Sequence, residues 1–364
     1  MDYITKRDIL YKIFTNKKNM KYKIYSKTNK FLDSLWADIY SAKKSIYIEM
    51  YIFLDDNKKP YNFVEALIEK SKEWVHIVLI LDAFGSRELN ISIIQKMKKA
   101  GIDIHFFSNR LRRTHRKLVM IDEKIVFFGW ANIKKSTKHR LDLQIRIKGK
   151  IIVKPFLKTF ANTYKMCGWT NRKINAYAKK WFFRKVKSLL MENLPGHKMY
   201  RLTDYYKNKI INAKKSIKIT TPYFMPPRWM IALRDDAIRR GVKVEIMIPY
   251  DTDIKTLNKI NYYYISKLTD MGIQFYAIKQ MNHAKMMIID NQEWFVWSQN
   301  IDHLSFSHNF EIGAFFKQKI LVNTLIDVFN GWKKKSVSYT TLDIRLTLRD
   351  RFVRAVYRTI FYII

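Results

Sequence analysis

With 364 residues, 48% of them hydrophobic and 15% aromatic, the chain holds enough apolar material for two substantial cores, which excludes a disordered polypeptide. Its 69 Lys and Arg against 31 Asp and Glu leave a formal net charge of +38, a balance that draws a protein toward polyanions, nucleic acid or an anionic membrane surface, although a coding bias toward Lys, Ile, Asn, Tyr and Phe also fits it. The lone Cys167 excludes an internal disulfide framework and a cysteine-based zinc site, and points to a reducing, cytosolic side.

In chain order, residues 1–23 are basic and lack an apolar core long enough for a signal peptide, and no uninterrupted apolar run reaches membrane-spanning length. Residues 31–42 (FLDSLWADIYSA) then read as an amphipathic helix, 46–53 (IYIEMYIF) as a buried strand, 62–73 as a helix and 76–84 as a strand. A helix over 91–101, stopped by Gly101, leads to a strand over 102–107. KLVMID (117–122) and KIVFFG (124–129) predict a hairpin, and LDLQIRIKG (141–149) a half-buried strand. Strands alternating with helices predict an α/β sandwich around a buried sheet.

The pattern then starts again. AKKSI occurs at Ala42–Ile46 and at Ala213–Ile217, and Gly101-Ile102 corresponds to Gly272-Ile273 at the same offset. Duplication of a unit of about 140 residues, the size of one domain, accounts for this and predicts a pseudo-symmetric pair rather than a solenoid. The expected units are 24–155 and 197–335. Between them, 156–196 reads as basic-aromatic connecting helices with Trp181, Phe182 and Phe183, and 336–364 as a basic amphipathic tail ending near Phe361 and Tyr362. Such segments suit either an anionic membrane surface or packing on the core with a solvated basic face.

Each unit carries one copy of His-x-Lys-x-x-x-x-Asp: His115, Lys117 and Asp122 in HRKLVMID, and His283, Lys285 and Asp290 in HAKMMIID. Ten residues past each Asp stands an Asn, Asn132 and Asn300. A single match would be weak, but two with identical internal spacing are not a chance pattern. Period-two alternation puts His and Lys on one face of a strand, so the two units are expected to present two His and two Lys to a common cleft.

Phosphodiester exchange without a metal needs a nucleophile, an acid for the leaving oxygen and fixed positive charge on the phosphoryl oxygens. Two histidines divide the first two tasks, one forming a phosphohistidine and the other protonating the departing alcohol. Lys117 and Lys285 hold the nonbridging oxygens, and Asn132 and Asn300 add hydrogen bonds. The chemistry implies neither a metal nor an organic cofactor.

These motifs, with the segments ILDAFGS, TPYFMPP and SQNIDHLSFSHNFEIG, resemble the phospholipase D superfamily, and within it bacterial cardiolipin synthases of the shorter kind without paired N-terminal transmembrane helices. The similarity runs from about Ile24 to Gly331. It implies two tandem phospholipase D-like domains related by pseudo-two-fold symmetry with the active site between them. It also implies His115 as nucleophile, His283 as acid/base, and Asp142 and Glu311, 27 and 28 residues past their histidines, as the acids that orient them. Ser298 matches the family's small polar residue before the Asn. Asp122 and Asp290 complete the catalytic motif, more as strand-end stabilisers than as substrate contacts. Trp130 and Trp297 depart from the family's glycine-containing pattern and predict either a narrower pocket or reshaped acyl binding.

The implied activity is transfer of a phosphatidyl group from phosphatidylglycerol to a second phospholipid hydroxyl, by a peripheral protein on the cytoplasmic side of a bacterial inner membrane. A hydrolytic phospholipase D and a phosphodiesterase or nuclease are the alternatives, with nucleic acid the less favoured partner; intact motifs speak against a catalytically dead scaffold. His139, His303 and His308 read as loop or neighbouring residues, His76 and His105 as hydrogen-bonded core or edge residues, and Glu49 and Asp82 as structural acids.

Overall fold

Two mixed sheets organise the chain in a computed structural model that describes residues 21–56, 60–108, 112–129, 131–134, 137, 139–179 and 190–339. They belong to two units that divide at Leu190/Met191.

In the first unit the strands are β1 (Lys21–Lys27), β2 (Ser45–Met50), β3 (His76–Asp82), β4 (Asp103–Phe107), β5 (Lys117–Ile121), β6 (Ile125–Gly129) and β7 (Leu141–Lys148). Their order is β1-β7-β6-β5-β2-β3-β4, with β2, β3 and β4 parallel and the rest antiparallel. Helices α1 (Thr28–Tyr40), α2 (Phe63–Lys72) and α3 (Ile91–Lys99) cover one face, where Leu35, Leu67 and Met97 meet Ile48, Leu79 and Val119. The side chains of Asn62 and Asn90 cap α2 and α3 by accepting from Glu65 N at 3.1 Å and Ser92 N at 2.8 Å. The other face lies under α4 (Lys150–Met166), whose Phe156 and Phe160 pack on Phe128 and Tyr47 at ring separations of 5.1 and 5.4 Å; the short α5 (Arg172–Lys179) follows.

That second cover corrects the expectation for β7. Its first five residues are all buried, because the sheet is closed on both faces. The polar positions that suggested solvent are accommodated inside: Arg146 forms a fork with Asp38 of α1, Nε to Oδ2 at 2.5 Å and Nη2 to Oδ1 at 3.0 Å.

The second unit repeats the scheme. Its strands are β8 (Leu190–Leu194), β9 (Met199–Tyr200), β10 (Ser216–Thr220), β11 (Lys243–Pro249), β12 (Gln274–Ile278), β13 (Met286–Ile289), β14 (Glu293–Trp297), β15 (Glu311–Phe316) and β16 (Ser336–Ser338). The order β8-β15-β14-β13-β10-β11-β12 reproduces that of the first unit strand for strand, with β9 and β16 added at the two edges. Helices α6 (Arg201–Ile211), α7 (Arg228–Arg239) and α8 (Lys255–Thr269) put Tyr206, Met230 and Ile265 into the core on one face. After the short α9 (His303–Ser307), α10 (Lys319–Lys333) packs on β12, β14 and β16.

The boundaries therefore shift. Residues 190–194, expected among the connecting helices, open the second sheet, and 336–338, expected in the tail, close its other edge. Residues 1–20, 180–189 with Trp181, Phe182 and Phe183, and 340–364 with Phe361 and Tyr362 lie outside the described residues, as does Trp130. Among those described, no helix is long and apolar enough to cross a membrane.

Candidate active site

Each motif spans one central strand, and its two ends do different things. At the far end of β5, Asp122 begins a turn in which Lys124 N donates to Ile121 O at 3.0 Å, with φ of 51° at Asp122 and 57° at Glu123, a type I′ turn. Asp290 and Asn291 repeat it after β13 at 53° and 54°. The Asp122 carboxylate accepts from the main-chain N–H of Lys43, Lys44 and Ser45 at 2.7–3.1 Å, and Asp290 from Lys214, Lys215 and Ser216 at 2.7–3.1 Å. The repeated AKKSI segment is thus the receptor of the motif aspartate. Along β5, Asp122 stands five residues from Lys117, roughly 16–17 Å, and His115 is two residues further on. Asp122 and Asp290 thus tie the far ends of the two central strands to the main chain of the AKKSI segments.

At the near end the chemistry-bearing groups gather. Lys117 Nζ donates to the His115 carbonyl at 2.7 Å and lies 5.0 Å from the Tyr51 ring, and Tyr51 meets the His115 ring edge-on at 4.9 Å. In the second unit Lys285 Nζ donates to the His283 carbonyl at 2.9 Å and sits 3.3 and 3.4 Å from the imidazole nitrogens, with Tyr223 at 6.3 Å from the ring. All four His and Lys are at least nine-tenths buried. A desolvated ammonium fixed beside an imidazole attracts an anion far more strongly than a solvated lysine does. Asn132 Oδ1 accepts from Ile52 N at 3.1 Å, which leaves its NH2 as the group that can donate to a ligand. Asn300 occupies the matching place in the second unit, buried, with no hydrogen bond to its Oδ1.

The two acids lie in corresponding strands, Asp142 in β7 and Glu311 in β15, both buried. Leu143 N donates to Asp142 Oδ1 at 2.9 Å. Ser298 Oγ donates to Glu311 and accepts from Ile312 N at 2.9 Å, so the serine two residues before the motif Asn is tied to the predicted orienting acid.

Three groups escaped the sequence reading. Asp302 caps α9 by accepting from Ser305 N at 2.7 Å; burial pushes its carboxyl up to about 6, with the Glu311 charge adding to the rise and Lys285 opposing it. Asp-x-x-Ser two residues past Asn300 was the available signal. Arg116, the variable residue of the first motif, is fully buried with Nη1 3.5 Å from Glu49 Oε1 and 2.9 Å from Thr163 Oγ1, and Thr114 Oγ1 donates to Glu49 at 2.6 Å. A buried arginine demands an acid, and Glu49 in the neighbouring strand was the candidate. Tyr51 and Tyr223, the aromatic walls, each sit just past the strand that begins with AKKSI.

Asp82 is structural, as expected: it accepts from the N–H of Phe84, Gly85 and Thr114, and burial pushes its carboxyl up. Trp297 does not narrow a pocket; it lies in the core, edge-on to Tyr206 at 4.8 Å. His76 meets Tyr47 Oη at 3.3 Å, and His105 lies 3.4 Å from Asp103 between the Tyr164 and Trp169 rings. Burial lowers the basicity of both. His303 and His308 face each other across 5.6 Å at α9, and His139 is exposed.

Residues 35–164 and 206–332 match the sequence model of a family described as cardiolipin synthase, PLD-like domain. A cardiolipin synthase of Clostridium perfringens (strain SM101) is 29% identical over 334 residues, 84% of this chain and 69% of its own length. One of Oceanobacillus iheyensis is 28% identical over 360 residues, 93% of this chain and 75% of its own. Among solved structures, phosphatidylserine synthase of Haemophilus influenzae Rd KW20 superimposes with a TM-score of 0.73 at 15% identity, covering 97% of this chain and 98% of that one, which shows a shared fold.

Proposed function

The chain belongs to the family of cardiolipin synthases with phospholipase D-like domains, and from that premise we propose that it is a phosphatidyltransferase that joins two phosphatidylglycerols into cardiolipin and glycerol. The observation that carries the reading is the doubled half-site, in which a buried Lys ammonium is held on the carbonyl of the motif histidine at 2.7 and 2.9 Å in the two units. The two half-sites are taken to serve one phosphodiester, as the repeat implies.

In the proposed cycle His115 attacks the phosphorus of the donor, a P–N bond forms, the P–O bond to the terminal glycerol breaks, and His283 gives that oxygen its proton. His283 then takes the proton of the second lipid's hydroxyl, whose oxygen attacks phosphorus and displaces His115. One phosphodiester replaces another, so the exchange needs no nucleotide. Lys117 and Lys285 neutralise the nonbridging oxygens, and the amides of Asn132 and Asn300 donate to them. Asp142 and Glu311 orient the imidazoles. The net charge of +38 supports a working position on an anionic membrane surface, and we assign the cytoplasmic face.

The same charge favours a second reading, a phosphodiesterase or nuclease of the superfamily. Purified protein incubated with phosphatidylglycerol vesicles, and separately with single-stranded DNA, decides between them: cardiolipin plus glycerol is expected, and cleaved DNA with untouched lipid would sink the transferase. His115→Ala and His283→Ala should each cost about a thousandfold or more, and the double variant should be hardly worse. Substantial activity in either single variant would mean that the units work separately.

A further inference from the structure

Beside the first motif lies a cationic cluster that the corresponding loop of the second unit, among the described residues, does not repeat. The loop after β3 carries Phe84, nearly half exposed, and two guanidinium groups stack on its ring: Arg87 at 4.7 Å and Arg113 at 4.5 Å from the centroid. This is a built arrangement. Asp82, buried at the end of β3, accepts from Phe84 and Gly85 N through Oδ1 (3.1 and 2.8 Å) and from Thr114 N through Oδ2 (2.9 Å), so one carboxylate fixes both segments that bear the cluster. A Cβ on Gly85 would stand 2.2 Å from the Tyr51 carbonyl, so only glycine lets the loop lie against Tyr51. Ser86 Oγ donates to that carbonyl at 3.1 Å, and the Tyr51 ring rests on His115. The cluster is therefore mechanically continuous with the motif histidine.

At the corresponding place after β11 the second unit has Tyr250, Asp251, Thr252 and Asp253, and Asp253 accepts from Tyr223 Oη at 2.5 Å. The approach to the motif differs as well: seven residues, 108–114 (SNRLRRT), precede His115 after β4, against four, 279–282 (KQMN), before His283. Extra length and arginines come together in the first unit, and carboxylates replace them in the second.

The Phe84 ring supports both cations, Arg113 also feels the charge of the buried Asp82 carboxylate, and a planar guanidinium matches the oxygens of a phosphate. We propose that Arg87 and Arg113, seated on Phe84, form a subsite for a second, non-reacting phosphate: that of the acceptor lipid, whose hydroxyl attacks at His115. This deepens the phosphatidyl transfer proposed above and rests on it. Arg113 is two residues from His115, roughly 6–7 Å along extended chain, about the reach of the glycerol bridge between two phosphates. The subsite would make an anionic phospholipid a better acceptor than a neutral alcohol or water.

The test uses the full chain and the Arg87→Gln/Arg113→Gln double variant, with Arg87→Gln alone as a surface change that leaves folding intact, and Lys72→Gln/Lys173→Gln as an equal loss of charge elsewhere on the first unit. With phosphatidylglycerol as donor, transfer to phosphatidylglycerol should fall about tenfold in the double variant and by an intermediate amount in Arg87→Gln, while transfer to ethanol stays within about twofold. Equal losses with both acceptors, or the same shift in the lysine control, overturn the subsite. Calorimetric titration with glycerol 3-phosphate gives an arm independent of turnover and of lipid: the wild type should bind one equivalent more than the double variant, and equal stoichiometry overturns the proposal. If the wild type transfers to neither acceptor, the transferase reading falls and the titration alone decides the subsite.

Discussion

The two half-sites reach the same arrangement of His, Lys and Asp over different foundations. Behind His115 the sheet holds a fully buried Arg116–Glu49 pair laced with Thr114 and Thr163; in register behind His283 stand Ala284 and Thr220, and the Thr220 hydroxyl is buried with no hydrogen bond. What recurs in both units is the aspartate on AKKSI and the lysine on the histidine carbonyl. What differs is whether the positions next to the histidine and in the neighbouring strand hold a buried ion pair, Arg116 and Glu49, or small neutral groups, Ala284 and Thr220. The first kind of feature is required by the geometry of the strand pair, and the second is free to diverge after duplication.

The comparison breaks most sharply at the buried pair. Glu49→Gln keeps the shape but removes the carboxylate 3.5 Å from the buried Arg116 guanidinium, and should destabilise the first unit by about 3–5 kcal/mol in denaturant unfolding. Thr220→Val, the equivalent change in the second unit, removes an unpaired hydroxyl and should be neutral or slightly stabilising. Importing the second unit's solution, Glu49→Thr with Arg116→Ala, should recover a good part of the loss. Equal costs at Glu49 and Thr220 would show that the ion pair is no special foundation.

The aspartates should instead behave alike. Asp122→Ala and Asp290→Ala each remove a carboxylate that accepts three main-chain N–H groups, at roughly 2 kcal/mol apiece. Activity per folded molecule should survive both. A thousandfold loss of turnover in variants that melt normally would return the aspartates to the catalytic set.

Asp302 sharpens the contrast through pH, since Lys134 takes its place in the first unit. Its ordinary value is 3.8 and burial raises it to about 6, so between those values the folded protein holds a proton that the unfolded chain has lost. The contribution to stability is complete below about pH 4 and disappears as pH rises through 6. Asp302→Asn keeps a good cap without the buried charge. It should therefore gain on the wild type by on the order of 2 kcal/mol at pH 8, with the gap closing toward pH 4. A gap independent of pH would assign the effect to the cap alone.

The sequence displays some of these features and hides others for physical reasons. Helix and strand order along the chain follow from local periodicity, and the motifs from their identical spacing, so the α/β repeat of each unit and the meeting of His115 with Lys117 and of His283 with Lys285 were within reach. The partner of Asp122 is 77 residues away and uses main-chain donors, which have no side-chain identity to read. Gln144 and Arg146 marked β7 as half-exposed, because alternation records polarity and not the Asp38 that neutralises one of them. The strands LMENL and SVS are too short or too polar for any pattern, and belong to the sheet because neighbours offer them an edge.

The smallest expected effect lies at a helix end. Both α2 and α7 stop in a left-handed residue closed by the same pair of main-chain bonds: Trp74 N to Ser71 O and Val75 N to Lys70 O in one, Gly241 N to Ile238 O and Val242 N to Ala237 O in the other. Gly241 adopts φ of 78° at no steric cost, whereas Trp74 is held at 65°, a conformation that crowds Cβ against the carbonyl oxygen that follows, and its side chain, 94% exposed, gains nothing from packing. Trp74→Gly removes about 1–2 kcal/mol of strain, partly offset by the greater entropy of glycine in the unfolded chain, for a net gain of about 0.5–1 kcal/mol. Trp74→Ala keeps the Cβ and should change little, and Gly241→Ala should lose what Trp74→Gly gains. Thermal midpoints of the three variants check this. If Ala and Gly at position 74 raise the midpoint equally, the indole and not the backbone is the source of the strain; if Gly lowers it, the exposed ring makes a stabilising contact and the two helix ends are not equivalent.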